Sequence, residues 1–445
     1  MEFVNLLPAF GGLVWTVLAF VLALSIIVAV HEYGHYIVGR WSGIHAEVFS
    51  LGFGPVVYSR IDKRGTKWQL AALPFGGFVK FLGDSSAASG KDGEKISGLS
   101  DAERRRTMHG APLWARAATV AAGPVFNFIL SIVVFFGLFL SFGVTADLPV
   151  IGSMKPLPFE GQSLLPGDQI LSVSGIKTAD FDAFVAATKD LPVTARVDYL
   201  VQRDGASVSV SGPYPLPPVA DAVQPRSAAS DAGVKAGDVI LAINGQPVSA
   251  FEEVRAAVGA SDGKPLSFKI WRAGADFEAT MIPQRRDLPK DGGGFETRWL
   301  IGMSGGLMFV PELRTPGLFE AASLAVQGTW KAGTTNLSFL WNIVIGNVST
   351  CNVSGPIGIA KVSGDAARQG IDSFIMLIAL LSTSVGLLNL FPIPVLDGGH
   401  LVFHAFEAVT GKPPSDRVLR VLMGIGLTAL LGLMAFAVTN DIFCP

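Results

Sequence analysis

The sequence predicts a polytopic α-helical membrane protein with four transmembrane helices. A membrane-associated β-hairpin region follows the first helix, and two α/β domains lie outside the membrane between the second and third. Three observations carry this reading. Half of the 445 residues are hydrophobic and only 16% are charged, with a mean hydropathy of +0.47, which is too apolar for an ordinary soluble protein. Four stretches, approximately Leu13–Val38, Ala117–Phe142, Phe374–Phe391 and Val421–Val438, approach the ~20 apolar residues that a bilayer crossing needs. Between the second and third, glycine, proline and charge return and the chain repeats itself.

The first thirty residues hold no lysine or arginine and show no small-residue cleavage signature, so they read as a retained span rather than a removed leader. The next segment carries Arg40, Arg60, Lys63, Arg64, Lys67, Lys80, Lys91, Lys95, Arg104, Arg105, Arg106 and Arg116. By the positive-inside rule it is cytoplasmic. Lys412, Arg417 and Arg420 between the last two spans agree, which puts both termini and the long middle region outside. Within the first cationic segment, Glu47–Phe81 alternates apolar and polar residues around Gly52, Gly54, Gly76 and Gly77, as in a hairpin pair dipping towards the membrane. A net charge of −2 supplies no field of the kind that draws nucleic acid. Cys351 and Cys444, the two cysteines, are too few for a zinc knuckle, and both free thiols and one bridge stay open.

The repeat sits in the middle region. Pro166-Gly167-Asp168-Gln169-Ile170-Leu171 returns 70 residues later as Ala236-Gly237-Asp238-Val239-Ile240-Leu241, Gly175 matches Gly245, and Phe181 falls on Phe251. A turn at Gly-Asp opens a buried strand, a second glycine reverses it, and the phenylalanine begins a helix. Farther on, Gly317–Ile345 with Trp330 and Trp341 reads as an amphipathic helix on the outer membrane surface.

The chemistry starts at His31-Glu32-Tyr33-Gly34-His35, where the first apolar run ends. On a helix the i, i+4 spacing turns His31 and His35 to one face, so both imidazoles reach one zinc ion, and Glu32 stands beside it as general base. A catalytic zinc takes three protein ligands. Asp397 is the candidate for the third, in Asn389-Leu390-Phe391-Pro392-Ile393-Pro394-Val395-Leu396-Asp397-Gly398-Gly399-His400. There Pro392 and Pro394 break the helix, and the glycines are expected to let the backbone approach the metal. His400 and His404 share the i, i+4 spacing, but no glutamate follows His400. His45 and His109 read as ordinary polar residues.

The Gly-Asp-x-Ile-Leu repeats resemble PDZ domains, which bind extended peptide along a sheet edge. With the H-E-x-x-H of the first span, the N-x-x-P-x-P-x-L-D-G-G of the third, and the segments Phe49–Pro55, Leu73–Lys80, Ala122–Phe128 and Ser354–Ala360, the chain resembles the site-2 protease family of intramembrane zinc metalloproteases. That resemblance implies zinc held by His31, His35 and Asp397, Glu32 as the base, and Asn389 engaging the substrate backbone. It implies a multi-pass protein of the bacterial inner membrane with periplasmic PDZ-like domains and its site towards the cytoplasm. The implied substrate, within the bilayer, is a single-span membrane protein, an anti-sigma factor already trimmed on its periplasmic side in a sigma-E stress response, with signal-peptide remnants secondary and chain ends as ligands of the PDZ pair.

The expected layout runs as follows: 1–40, first span with the H-E-x-x-H; 41–116, cytoplasmic and membrane-re-entrant β region; 117–145, second span. PDZ-like domains occupy 148–214 and 217–285. Then come 286–371, linker and amphipathic helix; 372–398, third span with the aspartate; and 399–445, cytoplasmic connection and fourth span. Two other classes compete. A catalytically idle PDZ scaffold would not need Glu32, and a metal transporter would spread ionisable groups over several repeated spans.

Overall fold

A computed structural model describes residues 3–84, 98–159, 161, 163–224, 227–289 and 295–443; Lys91, Lys95 and Cys444 lie outside them. The chain divides into two units, residues 1–139, 318–341 and 353–445 in one, 140–317 and 342–352 in the other.

Among the described residues four helices are long and apolar enough to cross a membrane, at Gly12–Trp41, Leu113–Phe142, Ile371–Asn389 and Arg417–Phe443, all in the first unit apart from residues 140–142. Helix α1 (Phe3–Trp41) ends where Ile44 N–H bonds to Gly39 O and Gly43 takes a left-handed φ of +83°, a glycine-closed terminus. Strands β1 (Ala46–Ile61) and β2 (Lys67–Phe81) form a hairpin with a doubled register. Residues 46–51 pair with 77–81 on one side and with 67–70 on the other, while 56–61 pairs with 67–71. The result is a four-segment sheet in which 77–81 is an edge. Val57, Tyr58 and Ile61, on the opposite edge, are exposed.

Helix α2 (Leu113–Phe142) packs on α1 at a close approach, since a Cβ on Gly34 would stand 2.5 Å from Ala122 O. Small residues let helices approach in this way where lipid supplies no hydrophobic drive. After the second unit come helices α5 (Leu318–Val344), α6 (Pro356–Gln369), α7 (Ile371–Asn389), α8 (Asp397–Thr410) and α9 (Asp416–Phe443). The expected span 372–398 is therefore two elements. Pro392 and Pro394 cannot continue a helix, so α7 stops at Asn389 and Asp397 opens α8. Helix α5 packs against two spans: Thr329 Oγ1 is 3.3 Å from Ser131 Oγ, and Asn336 Nδ2 donates to Ser384 Oγ at 2.8 Å. Ala321 and Ala325 are fully buried, so one face of α5 is a helix–helix contact rather than a lipid-facing one. The N-terminus of α6 is capped from α9, where Asp441 accepts the N–H groups of Gly355, Ile357 and Gly358.

The second unit contains two four-stranded sheets of the same order. In the first, β3 (Gln169–Val173) lies between β4 (Ile176–Lys177) and β5 (Val197–Arg203), with β6 (Ala206–Gly212) outermost; helix α3 (Phe181–Asp190) falls between β4 and β5 in sequence. In the second, β7 (Val239–Ile243) lies between β8 (Gln246–Pro247) and β9 (Leu266–Arg272), with β10 (Ala275–Met281) beside β9, and α4 (Phe251–Gly259) occupies the equivalent place. The aspartate of each Gly-Asp turn is buried on an arginine, Asp168 on Arg203 and Asp238 on Arg272, both bidentate at 2.6–2.7 Å. Burial works against ionisation of Asp168, yet those bonds hold its carboxyl below the usual range.

Residues after 285 do more than link. Strands β11 (Gln284–Pro289) and β12 (Phe295–Leu300) form a further hairpin. Met303–Ser304, Phe309–Pro311 and Leu313–Arg314 then return to pair with Ala222–Val223, Ile151–Met154 and Val144–Thr145. The chain thus leaves this region beside the point where it entered. Cys351 is disulfide-bonded.

Candidate active site

Helix α1 carries His31, Glu32 and His35 near its C-terminal end, and the imidazole centroids of the two histidines are 4.8 Å apart with planes at 85°. Their Nε2 atoms are separated by 3.2 Å. Oδ2 of Asp397, the first residue of α8, lies 3.2 Å from the first and 3.5 Å from the second. Ligands at zinc–nitrogen and zinc–oxygen distances on a tetrahedron stand about 3.3–3.4 Å apart, so the three atoms fit three corners of a zinc coordination shell. Asp397 Oδ2 is buried and has no hydrogen bond, an orphaned anionic oxygen that a cation would satisfy. Among the described residues this is the one cluster able to hold a metal.

The surroundings prepare the same geometry. Thr119 O lies 2.8 Å from His35 Nδ1 and can only accept, so Nδ1 carries the proton and Nε2 presents its lone pair. His31 Nδ1 is 3.1 Å from Nδ2 of Asn127, which is fully buried and whose Oδ1 has no partner. Half a turn of that amide sets Oδ1 on His31 Nδ1–H, the equivalent arrangement. On α2, a Cβ on Gly123 would lie 2.3 Å from His35 Nε2 and 2.8 Å from His31 Cε1. Only glycine leaves room there for both rings.

Gly398 and Gly399 act differently from expectation. A Cβ on either would meet the carbonyls of Leu390, Phe391 or Ile393 at 2.3 Å, so they admit the loop that folds over the start of α8 rather than bringing backbone to a metal. Asp397 benefits from that position, since a helix N-terminus favours negative charge.

A cavity of about 460 Å³ joins these groups, lined by His31, Glu32, His35, Asp397 and Asn389 together with Gly77, Phe78, Val79 and Phe81 of the edge segment. A Cβ on Gly77 would press within 2.9 Å of Glu32 Cγ. His109, expected to be an ordinary polar residue, also lines the cavity, with its Nε2 3.3 Å from buried Asp84. His400 and His404 line it as well but stand outside the metal cluster. Burial lowers His400, and burial together with Arg116 pushes His404 down to about 4. Arg116 is held by a bidentate pair with Glu407 at 2.9 and 2.6 Å.

Sequence reasoning missed Gly123 and Asn127. The available signal was polar Asn127 inside the apolar run Ala122–Leu130, where an amide needs a partner.

Comparisons with known proteins cover both arms of the cluster. The model of peptidase family M50 matches residues 19–433. A protein of Agrobacterium fabrum named as a zinc metalloprotease is 38% identical over 443 residues, 98% of each chain. The regulator of sigma-E protease of Escherichia coli is 34% identical over 457 residues, 96% of this chain and 98% of that one. Its Salmonella typhimurium counterpart is 34% identical over 461 residues, 97% and 99% of the two chains.

Proposed function

The chain belongs to peptidase family M50, the site-2 zinc metalloproteases of membranes, and from that membership we propose that it cuts the transmembrane segment of a single-span protein near the segment's cytoplasmic end. The observation that carries this is the convergence of His31, His35, Asp397, Glu32 and Asn389 on one cavity built from helices apolar enough to span. His31, His35 and Asp397 would hold the zinc. Bound there, zinc supplies Lewis-acid polarisation of a peptide carbonyl and acidifies a water.

The remaining steps belong to side chains. Glu32 takes the proton from the attacking water and returns it to the leaving nitrogen. Asn389, at the end of α7, holds the scissile backbone through its amide. A membrane helix must unwind before its amides are reachable, and its freed backbone groups then need partners. The edge Gly77–Phe81 borders the cavity and offers them by strand addition. Exposed Val57, Tyr58 and Ile61 support a hairpin that dips into the bilayer.

The cations between the first two spans favour a cytoplasmic site in the bacterial inner membrane, and a disulfide at Cys351 fits an oxidising compartment for the second unit. The two sheets of that unit are read as periplasmic PDZ domains that exclude bulky ectodomains. The substrate class that fits such a filter is a pre-trimmed anti-sigma factor, with signal-peptide remnants secondary. The test is co-expression of tagged single-span proteins with wild type and Glu32→Gln. Cleavage that is unchanged in the variant removes the reading.

A further inference from the structure

A second cavity of about 340 Å³ opens where α1 meets the base of the hairpin, lined by Tyr36, Arg40, His45, Arg64, Thr66 and Arg106 among others, and no acidic residue borders it. Among the described residues none of the three guanidinium groups forms an ion pair. The nearby carboxylates hold other partners. Asp62 accepts from Arg64 N–H, Thr66 N–H and Trp68 Nε1–H; Glu103 accepts from Ser100 and feels the charge of Arg106 from beyond ion-pair distance; Glu47 faces Lys80. Tyr36, almost fully buried, accepts from Arg40 Nη1 at 3.1 Å, which fixes the guanidinium and leaves it further N–H donors.

The end of α1 does not oppose an anion here. Its last carbonyls at Val38, Gly39 and Arg40 are taken by the N–H groups of Ser42, Ile44 and Gly43, so the negative end of the helix is closed. Three arginines around a concave space form the arrangement that recognises a phosphate group through forked donors. Trp41 at the end of α1 and Trp114 at the start of α2 are 74% and 66% exposed, and exposed tryptophans at span ends mark the membrane–water boundary.

We propose that this cavity is a binding site for a phosphate group, supplied by the headgroup of an anionic phospholipid in the leaflet at this end of the spans. The site is separate from the metal cluster and shares no lining residue with its cavity.

The test uses the full-length protein in nanodiscs of equal phosphatidylcholine and phosphatidylglycerol, released for native mass spectrometry. Wild type retains phosphatidylglycerol. Arg64→Gln and Arg106→Gln each lower that retention about tenfold or more, as expected for the loss of a hydrogen bond between charged groups within a built site. Arg105→Gln, a neighbouring arginine outside the cavity, leaves it unchanged. Equal losses for Arg105→Gln and the cavity variants overturn the proposal, because a diffuse surface charge then explains the binding. A parallel arm measures thermal stabilisation by inorganic phosphate in detergent. Stabilisation that needs Arg64 and Arg106, without lipid retention, sustains the phosphate site and assigns it to a free anion. No dependence on these arginines with either probe overturns it. Zinc content, unchanged in all three variants, reports that they fold.

Discussion

A side-chain carbon on Gly123 would stand 2.3 Å from Nε2 of His35, so a glycine on the second span and a candidate metal-ligating imidazole on the first share a space that only a hydrogen can occupy. Gly123→Ala should displace the ring or spread the helices. Overpacking of this kind costs about 1–3 kcal/mol, and the strain falls on the donor atom itself. Zinc content of the purified variant should fall sharply, with cleavage falling in parallel. Zinc content equal to wild type means that the helices yield instead.

Glu32→Gln should keep zinc and lose cleavage, because the donor atoms survive and the base does not. Removal of a general base costs on the order of 10²–10⁴-fold in rate. His31→Ala, His35→Ala and Asp397→Ala should each lower zinc stoichiometry, measured by atomic emission on matched preparations. Normal zinc in Asp397→Ala transfers the third position to another group of the cavity, with His400 the first to examine.

Asn127 should govern zinc affinity through the tautomer of His31. Asn127→Leu removes the partner of Nδ1 and should weaken zinc binding about 10–100-fold, the usual effect of losing such a support. Asn127→Asp presents an acceptor to Nδ1–H and should bind zinc as well as wild type or better. A chelator competition titration separates the two, and equal affinity in all three proteins refutes the role.

His404 is held down to about 4 by burial and Arg116, against an ordinary value of 6.5. A histidine depressed in the folded state binds fewer protons folded than unfolded. Its contribution to stability is therefore complete above pH 6.5 and is lost as pH falls towards 4. The thermal midpoint of wild type should drop across that window, and His404→Gln should flatten the drop. Parallel curves for the two proteins rule out His404 as the titrating group.

Filter and recruiter roles for the repeated sheets predict opposite results. Because Leu313–Arg314 pairs with Val144–Thr145, the excision that spares this pairing removes residues 146–312. A filter predicts that the shortened enzyme cuts untrimmed substrate while trimmed substrate is still cut. A substrate in the same bilayer needs little tethering, which favours that outcome. A large fall in both rates at an unchanged ratio favours recruitment.

The candidate metal donors were legible because their signal is local or punctuated: His31 and His35 by helical spacing, Asp397 by the prolines before it. Gly123, Asn127 and His109 were not, since their roles exist only where α2 or the segment before it meets α1 and α8. A glycine chosen for the ring on another helix looks like any other glycine in a span. Strands such as Met303–Ser304 and Leu313–Arg314, two residues each, carry no period to read. The reach of α5 along the spans was hidden for a related reason, as Ala321, Ala325 and Thr329 do not form an apolar stripe.

The cap that Asp441 places on α6 bears on biogenesis. Its partners Gly355, Ile357 and Gly358 precede it by 86, 84 and 83 residues. At roughly 5–20 residues per second, synthesis leaves those N–H groups waiting for about 4–17 s. Until Asp441 arrives these groups lack their final acceptor, so the start of α6 is capped only after the last span has been delivered to the insertion machinery. A chain stalled or cleaved before Asp441 leaves the start of α6 without its cap, so the seating of this helix depends on completion of the last span.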